Sequence, residues 1–118
     1  MLGWPEVRLR HTESYVHTWL GNTRHAYAAQ EAALAIYPES LARDRAMVLL
    51  HQGACIIQDG DVGGGLAYAT RVLDGLPVKH HTEPVYATAR AVMRVVPTQE
   101  RGRPEVADLR ARLAFSPG

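Results

Sequence analysis

Apolar residues return every three to four positions along most of the chain, and the pattern breaks at Gly21-Asn22, Pro38, Gly60-Asp61, Pro77 and Pro97. That period marks amphipathic helices, and Gly or Pro at each break marks their ends. Leu9, Thr12, Val16, Trp19 and Leu20 recur at helical spacing between Pro5, a good first-turn residue, and the stop at Gly21, which predicts a first helix over about 5–20. Asn22 or Thr23 then caps a second helix, with Ala26, Ala29, Ala33, Leu34 and Ile36 on one small-residue stripe and Pro38 as its end. From Ser40, Ala42, Ala46, Leu49, Leu50, Gly53, Ala54, Ile56 and Ile57 make the third helix the most apolar element, as expected of one packed on both sides.

Asp61 caps a fourth helix that runs to Leu76, with a soft start because each residue of Gly63-Gly64-Gly65 costs about 1 kcal/mol relative to Ala. After the connector Val78 to His81, Thr82 caps a fifth helix with Glu83 and Pro84 in its first turn and Val85, Ala89, Val92, Met93 and Val96 on its apolar face. Pro97 closes it. A loop from Thr98 to Arg103 leads to a sixth helix from Pro104, where Val106, Leu109 and Leu113 bury one face and Arg110 and Arg112 face water. This last helix reads as a terminal cap, and Ser116-Pro117-Gly118 as a true chain end.

The interval from Gly21 to Pro38 equals that from Gly60 to Pro77, 17 residues each, displaced by 39. The pattern predicts an all-α fold of six helices in three antiparallel hairpins, at about 5–38, 40–77 and 82–115, forming a single domain over 1–118. Repeat scaffolds of this kind generally bind along a surface. A short array also leaves apolar ends, and Trp4 near one of them points to cover by a second copy.

Charge narrows the partners. The 13 basic and 12 acidic residues are interspersed and leave a net charge of +1, so no wide basic field exists for direct nucleic-acid binding. Cys55 is the only cysteine and lies in an apolar stretch, which suits a core residue in a reducing compartment. No basic-then-apolar leader opens the sequence and no apolar run approaches the ~18 residues of a membrane span. A cytoplasmic protein without membrane contact is expected. The adjacent His80-His81 pair has no Cys or acidic cluster beside it, so no metal is expected, and Gly63-Gly64-Gly65 lacks the Lys-Ser/Thr of a phosphate loop. No cofactor is implied.

Gly21-Asn22, Ala26, Ala33, Leu34 and Pro38 in the first unit, and Gly53, Gly60-Asp61, Leu73 and Pro77 in the second, resemble the tetratricopeptide repeat, although 39 residues exceeds its usual ~34. More narrowly, Leu9-Arg10-His11-Thr12-Glu13-Ser14-Tyr15-Val16 with Gly21, Ala29-Gln30 and Ala35-Ile36-Tyr37-Pro38 is similar to the C-terminal repeat region of actinobacterial helix-turn-helix transcriptional regulators. The similarity continues through Gly60-Asp61-Val62, Val72-Leu73, Leu76-Pro77, Val96-Pro97, Arg101, Arg103-Pro104, Val106, Leu109-Arg110 and Leu113, and covers most of the chain. In that family the DNA-binding helices lie upstream, and the sequence here does not include them. The resemblance implies a right-handed α-solenoid serving as a regulatory or sensory module that binds a peptide, a protein partner, a small signal or a second copy of itself.

It also implies a concave face lined by the first helix of each hairpin: Arg8, His11, Thr12, Tyr15 and Trp19, then Met47, Leu50, His51 and Ala54, then Tyr86, Arg90 and Met93. Of these, Arg8, His11, Tyr15, Trp19, Met47, His51, Tyr86 and Arg90 are the candidate ligand-binding residues, suited to an anionic, partly apolar ligand. The competing reading makes the aromatics packing residues and His51 a satisfied core histidine. No catalytic motif is visible. A second functional class, a small cytoplasmic enzyme of secondary metabolism, would use His51, His11 and Tyr15 for acid-base chemistry across the groove.

Overall fold

The computed structural model describes residues 4–114, the Trp4 side chain excepted; the expectations for that side chain and for residues 116–118 lie outside this range. Six α-helices form, α1 (Trp4–Leu20), α2 (Thr23–Ile36), α3 (Ala42–Gln58), α4 (Val62–Gly75), α5 (Glu83–Arg94) and α6 (Pro104–Leu113). Short 3-10 turns at Val78–His80 and Thr98–Glu100 follow Pro77 and Pro97, and the described residues contain no strand. Helix α3 packs against α1, α2, α4 and α5, which accounts for its apolar character on several faces. The molecule measures 47 × 32 × 18 Å, its thin dimension that of two helix layers.

The two Gly turns are built alike. Gly21 takes φ +79° and Gly60 φ +109°, left-handed conformations open to glycine at little cost. The Gly21 amide donates to the Thr18 carbonyl and the Asn22 amide to the His17 carbonyl; the Gly60 amide donates to Ile57 and that of Asp61 to Ile56. Both are Schellman ends, and they satisfy carbonyls the helices would otherwise leave bare. Asp61 then caps α4, its Oδ1 accepting from the Gly64 amide at 2.9 Å. Asn22 and Thr82 occupy the equivalent N-cap positions of α2 and α5 without a side-chain cap bond.

Burial repeats with the same 39-residue shift. Ser14 and Gly53, Ala26 and Gly65, Gln30 and Ala69, and Tyr37 and Leu76 are all buried pairs. The absence of side chains at Gly53 and Gly65 lets α3 and α4 approach: a Cβ built on Gly65 would stand 2.6 Å from the Gly53 carbonyl oxygen and 2.9 Å from the Ile57 nitrogen. One core of sixteen residues spans α3 to α6 with Leu50, Leu66, Leu73, Val85, Val92 and Leu109 fully buried, and a smaller one joins Val7, Ala33, Tyr37 and Val48.

Helix α1 departs from its sequence pattern. Leu9, Thr12, Val16 and Leu20, four of the five residues that set its helical spacing, are exposed, and the face that meets the protein carries Val7, Ser14 and Thr18. The reversal is tolerated because most of the buried polar groups are paired, Gln30 Oε1 and Gln58 Oε1 being buried without a partner among the described residues. Ser14 shares a 2.7 Å hydrogen bond with His51, Thr18 Oγ1 accepts from Gln30 Nε2 at 3.2 Å, and the Thr18 hydroxyl lies 3.7 Å from the Cys55 sulfur. Gln58 Nε2 donates to the Thr18 carbonyl at 3.0 Å. A polar ladder, Ser14/His51 above Thr18/Cys55, therefore joins α1 to α3 where apolar contact was expected.

Candidate functional site

His51 sits at the centre of a ring of side chains. His11, Tyr15 and Trp19 follow one another at intervals of four along α1 and so share a face, and each makes a T-shaped ring contact with His51, with centroids 5.8, 6.1 and 5.6 Å away. His51 is 1% exposed, and burial, reinforced by the nearby His11, pushes its imidazole down to about 3. Burial also lowers His11, partly opposed by the Asp44 carboxylate. Tyr37 is raised to about 12 by burial and by Asp44, so its phenol keeps its proton, and it shares a 2.7 Å hydrogen bond with His11 Nδ1.

At neutral pH this cluster is uncharged and closed. Ser14 and His51 have the separation of a nucleophile and its base, yet Ser14 is fully buried and no substrate reaches it. An imidazole near 3 is also a weak base at pH 7. Tyr15 and Trp19 pack inward against His51 and keep an outer side toward solvent, Tyr15 at 57% exposure.

Those outer faces form one wall of an open groove of about 420 Å³, whose other wall is Ala87, Thr88, Ala91, Arg94 and Val95 of α5. Tyr15 and Trp19 meet edge-to-face at 6.3 Å. Arg94 is exposed and makes no ion pair among the described residues, which leaves its five donors for a ligand. Apolar rings, small residues on the facing helix and one cation give the groove its chemistry.

Among the sequence candidates, His11, Tyr15, Trp19 and His51 come together, with Tyr15 and Trp19 alone lining the groove. Arg8 and Thr12 are exposed outside its lining. Leu50 and Ala54 are fully buried in the core, and Met47 and Met93 pack against it. Tyr86 is 3% exposed with its hydroxyl 2.9 Å from His81 Nδ1, and Arg90 pairs with Glu83. Ala87, Thr88, Ala91, Arg94 and Val95 escaped the sequence reading. They occupy the flank of the α5 core stripe opposite to Tyr86, Arg90 and Met93, and the periodicity of a single helix does not distinguish its two flanks.

Among the described residues no group of three or more His, Cys, Asp or Glu is placed to hold a metal ion, and no helix is long and apolar enough to cross a membrane. Cys55 is a free, buried thiol. Comparison with protein-family models, with curated proteins and with solved structures found no match to the chain.

Proposed function

We propose that this protein is a tetratricopeptide-like regulatory or sensory module that binds a protein partner through an acidic, partly apolar peptide segment laid in the groove between α1 and α5. The observation that carries the reading is the pairing of the exposed Tyr15 and half-buried Trp19 rings with the unpaired Arg94 across about 420 Å³. Aromatic faces accept an apolar side chain and Arg94 forms charge-assisted bonds to a neighbouring carboxylate. A right-handed solenoid of three hairpins is the arrangement proposed for the six helices, supported by the duplicated Schellman turns and the 39-residue recurrence of buried positions. Catalysis by His51 is disfavoured by its burial and low basicity.

The same reading includes self-association. Leu9, Val16 and Leu20 lie on one exposed stripe of α1, and on the adjoining flank Glu6 and Glu13 both pair with Arg10, at 2.8 and 3.0 Å, leaving a single net negative charge. A second copy meets there an apolar face whose flank carries little net charge to repel it.

Peptides selected from a random library on the intact protein test the groove. The selected consensus should place Asp or Glu beside a large apolar residue, and binding should fall at least tenfold in Arg94→Glu and in Trp19→Ala, from the lost ion pair and aromatic contact. Selected peptides that bind both variants as well as the wild type would place the site elsewhere.

A further inference from the structure

A second cleft, of about 440 Å³, shares no residue with the groove and runs between the first half of α3 and the second half of α4. Ala42, Ala46, Leu49, Val72, Leu76 and Pro77 make its walls apolar, and small residues at 42, 46 and 75 hold it open. Its size is that of a small-ligand pocket and far exceeds a packing void. Two guanidinium groups border it. Arg45 spends Nη1 on the Leu34 and Tyr37 carbonyls at the end of α2, which anchors the side chain and leaves its remaining donors uncommitted. Arg71 stands 6.0 Å over the Tyr68 ring and has no carboxylate partner among the described residues. Tyr68 is itself held by a 2.6 Å bond to Gln52. Glu39 is the lone acid in the lining, so the cleft carries a surplus of one positive charge.

We propose that this cleft binds a small amphipathic carboxylate, its hydrocarbon body along Leu49, Val72 and Leu76 and its carboxylate on Arg71, with Arg45 beside it. Charge-assisted bonds to the Arg71 guanidinium, with the anchored Arg45 beside it, select the anion, and the apolar walls select against small inorganic anions. The site is independent of the peptide groove.

Octanoate is the probe, with octan-1-ol as its uncharged match and acetate as its truncated one, titrated into the intact protein and followed by methyl resonances. Octanoate should bind saturably at about millimolar concentration, as ten heavy atoms of ordinary efficiency allow, with shifts concentrated at Leu49, Val72 and Leu76. Octan-1-ol and acetate should bind at least tenfold more weakly. Arg71→Gln, an exposed substitution that leaves the core untouched, should weaken octanoate about tenfold, and Glu39→Gln should tighten it. Octan-1-ol equal to octanoate, undiminished binding by Arg71→Gln, or no saturable shifts in the cleft overturns the proposal.

Discussion

Acidifying the protein should expose what the buried imidazole costs. His51 titrates near 6.5 in an unfolded chain and near 3 in the folded one, where burial and the neighbouring His11 disfavour its cation. Between those values the unfolded state binds more protons, so stability is full above about 6.5 and is lost as the pH falls toward 3. At pH 5 the unfolded imidazole is almost wholly protonated and the folded one almost wholly neutral, which puts the loss at about 2 kcal/mol relative to pH 7.5. That figure depends on the unfolded value alone so long as the folded one stays below about 4. His11 shifts in the same direction and adds to the slope. The assay is urea unfolding followed by helical circular dichroism at pH 7.5, 6 and 5, for the wild type and for His51→Gln. The variant starts less stable because the imidazole's ring contacts with His11, Tyr15 and Trp19 are lost, but its stability should fall by about 2 kcal/mol less between pH 7.5 and 5. Equal losses in the two proteins would show that His51 does not carry the pH dependence, and the burial argument would fail.

Two further outcomes follow from the packing and from α1. Gly65→Ala forces a Cβ to 2.5 Å from Ile57 Cγ1 and against two backbone atoms, whereas Gly63→Ala meets only the ends of two movable side chains, the Arg103 guanidinium at 3.1 Å and the Glu105 carboxylate at 3.4 Å. Thermal melting should therefore show Gly65→Ala destabilised by about 1–3 kcal/mol and Gly63→Ala stabilised by up to about 1 kcal/mol; effects of the same sign would contradict the close α3–α4 approach. Sedimentation at tens of micromolar should show a wild-type dimer and a folded Leu20→Glu monomer, and a wild-type monomer at that concentration would remove the proposed self-association.

Turns and helices were legible in the sequence because Gly, Asp and Pro act locally: Gly21, Gly60 and Asp61 perform their expected roles from chemistry confined to one turn. Helix α3 was legible too, since its apolar residues run around several faces and Leu50 and Ile57 are buried as that pattern requires. Helix α1 was misleading for the converse reason. Its stripe of Leu9, Val16 and Leu20 has the signature of a core face, while the true core face carries Val7, Ser14 and Thr18, the last two bonded to His51 and Gln30 of the neighbouring helices. Polar burial of that kind depends on partners 12 to 40 residues away, and periodicity contains no record of them. The candidate site was half legible: Tyr15 and Trp19 declared themselves as aromatics on one helix face, whereas Arg94 joined them through the rotation of α5.

The central claim is that the Tyr15–Trp19–Arg94 groove recognises an acidic residue beside an apolar one, and a double-mutant cycle tests it most directly. Calorimetry should be run on a selected peptide and its Asp/Glu→Asn/Gln form, each against wild type and Arg94→Gln. A coupling of about 1–3 kcal/mol between Arg94 and the peptide carboxylate is the predicted result. Additive losses, with no coupling, would contradict the assignment of the groove.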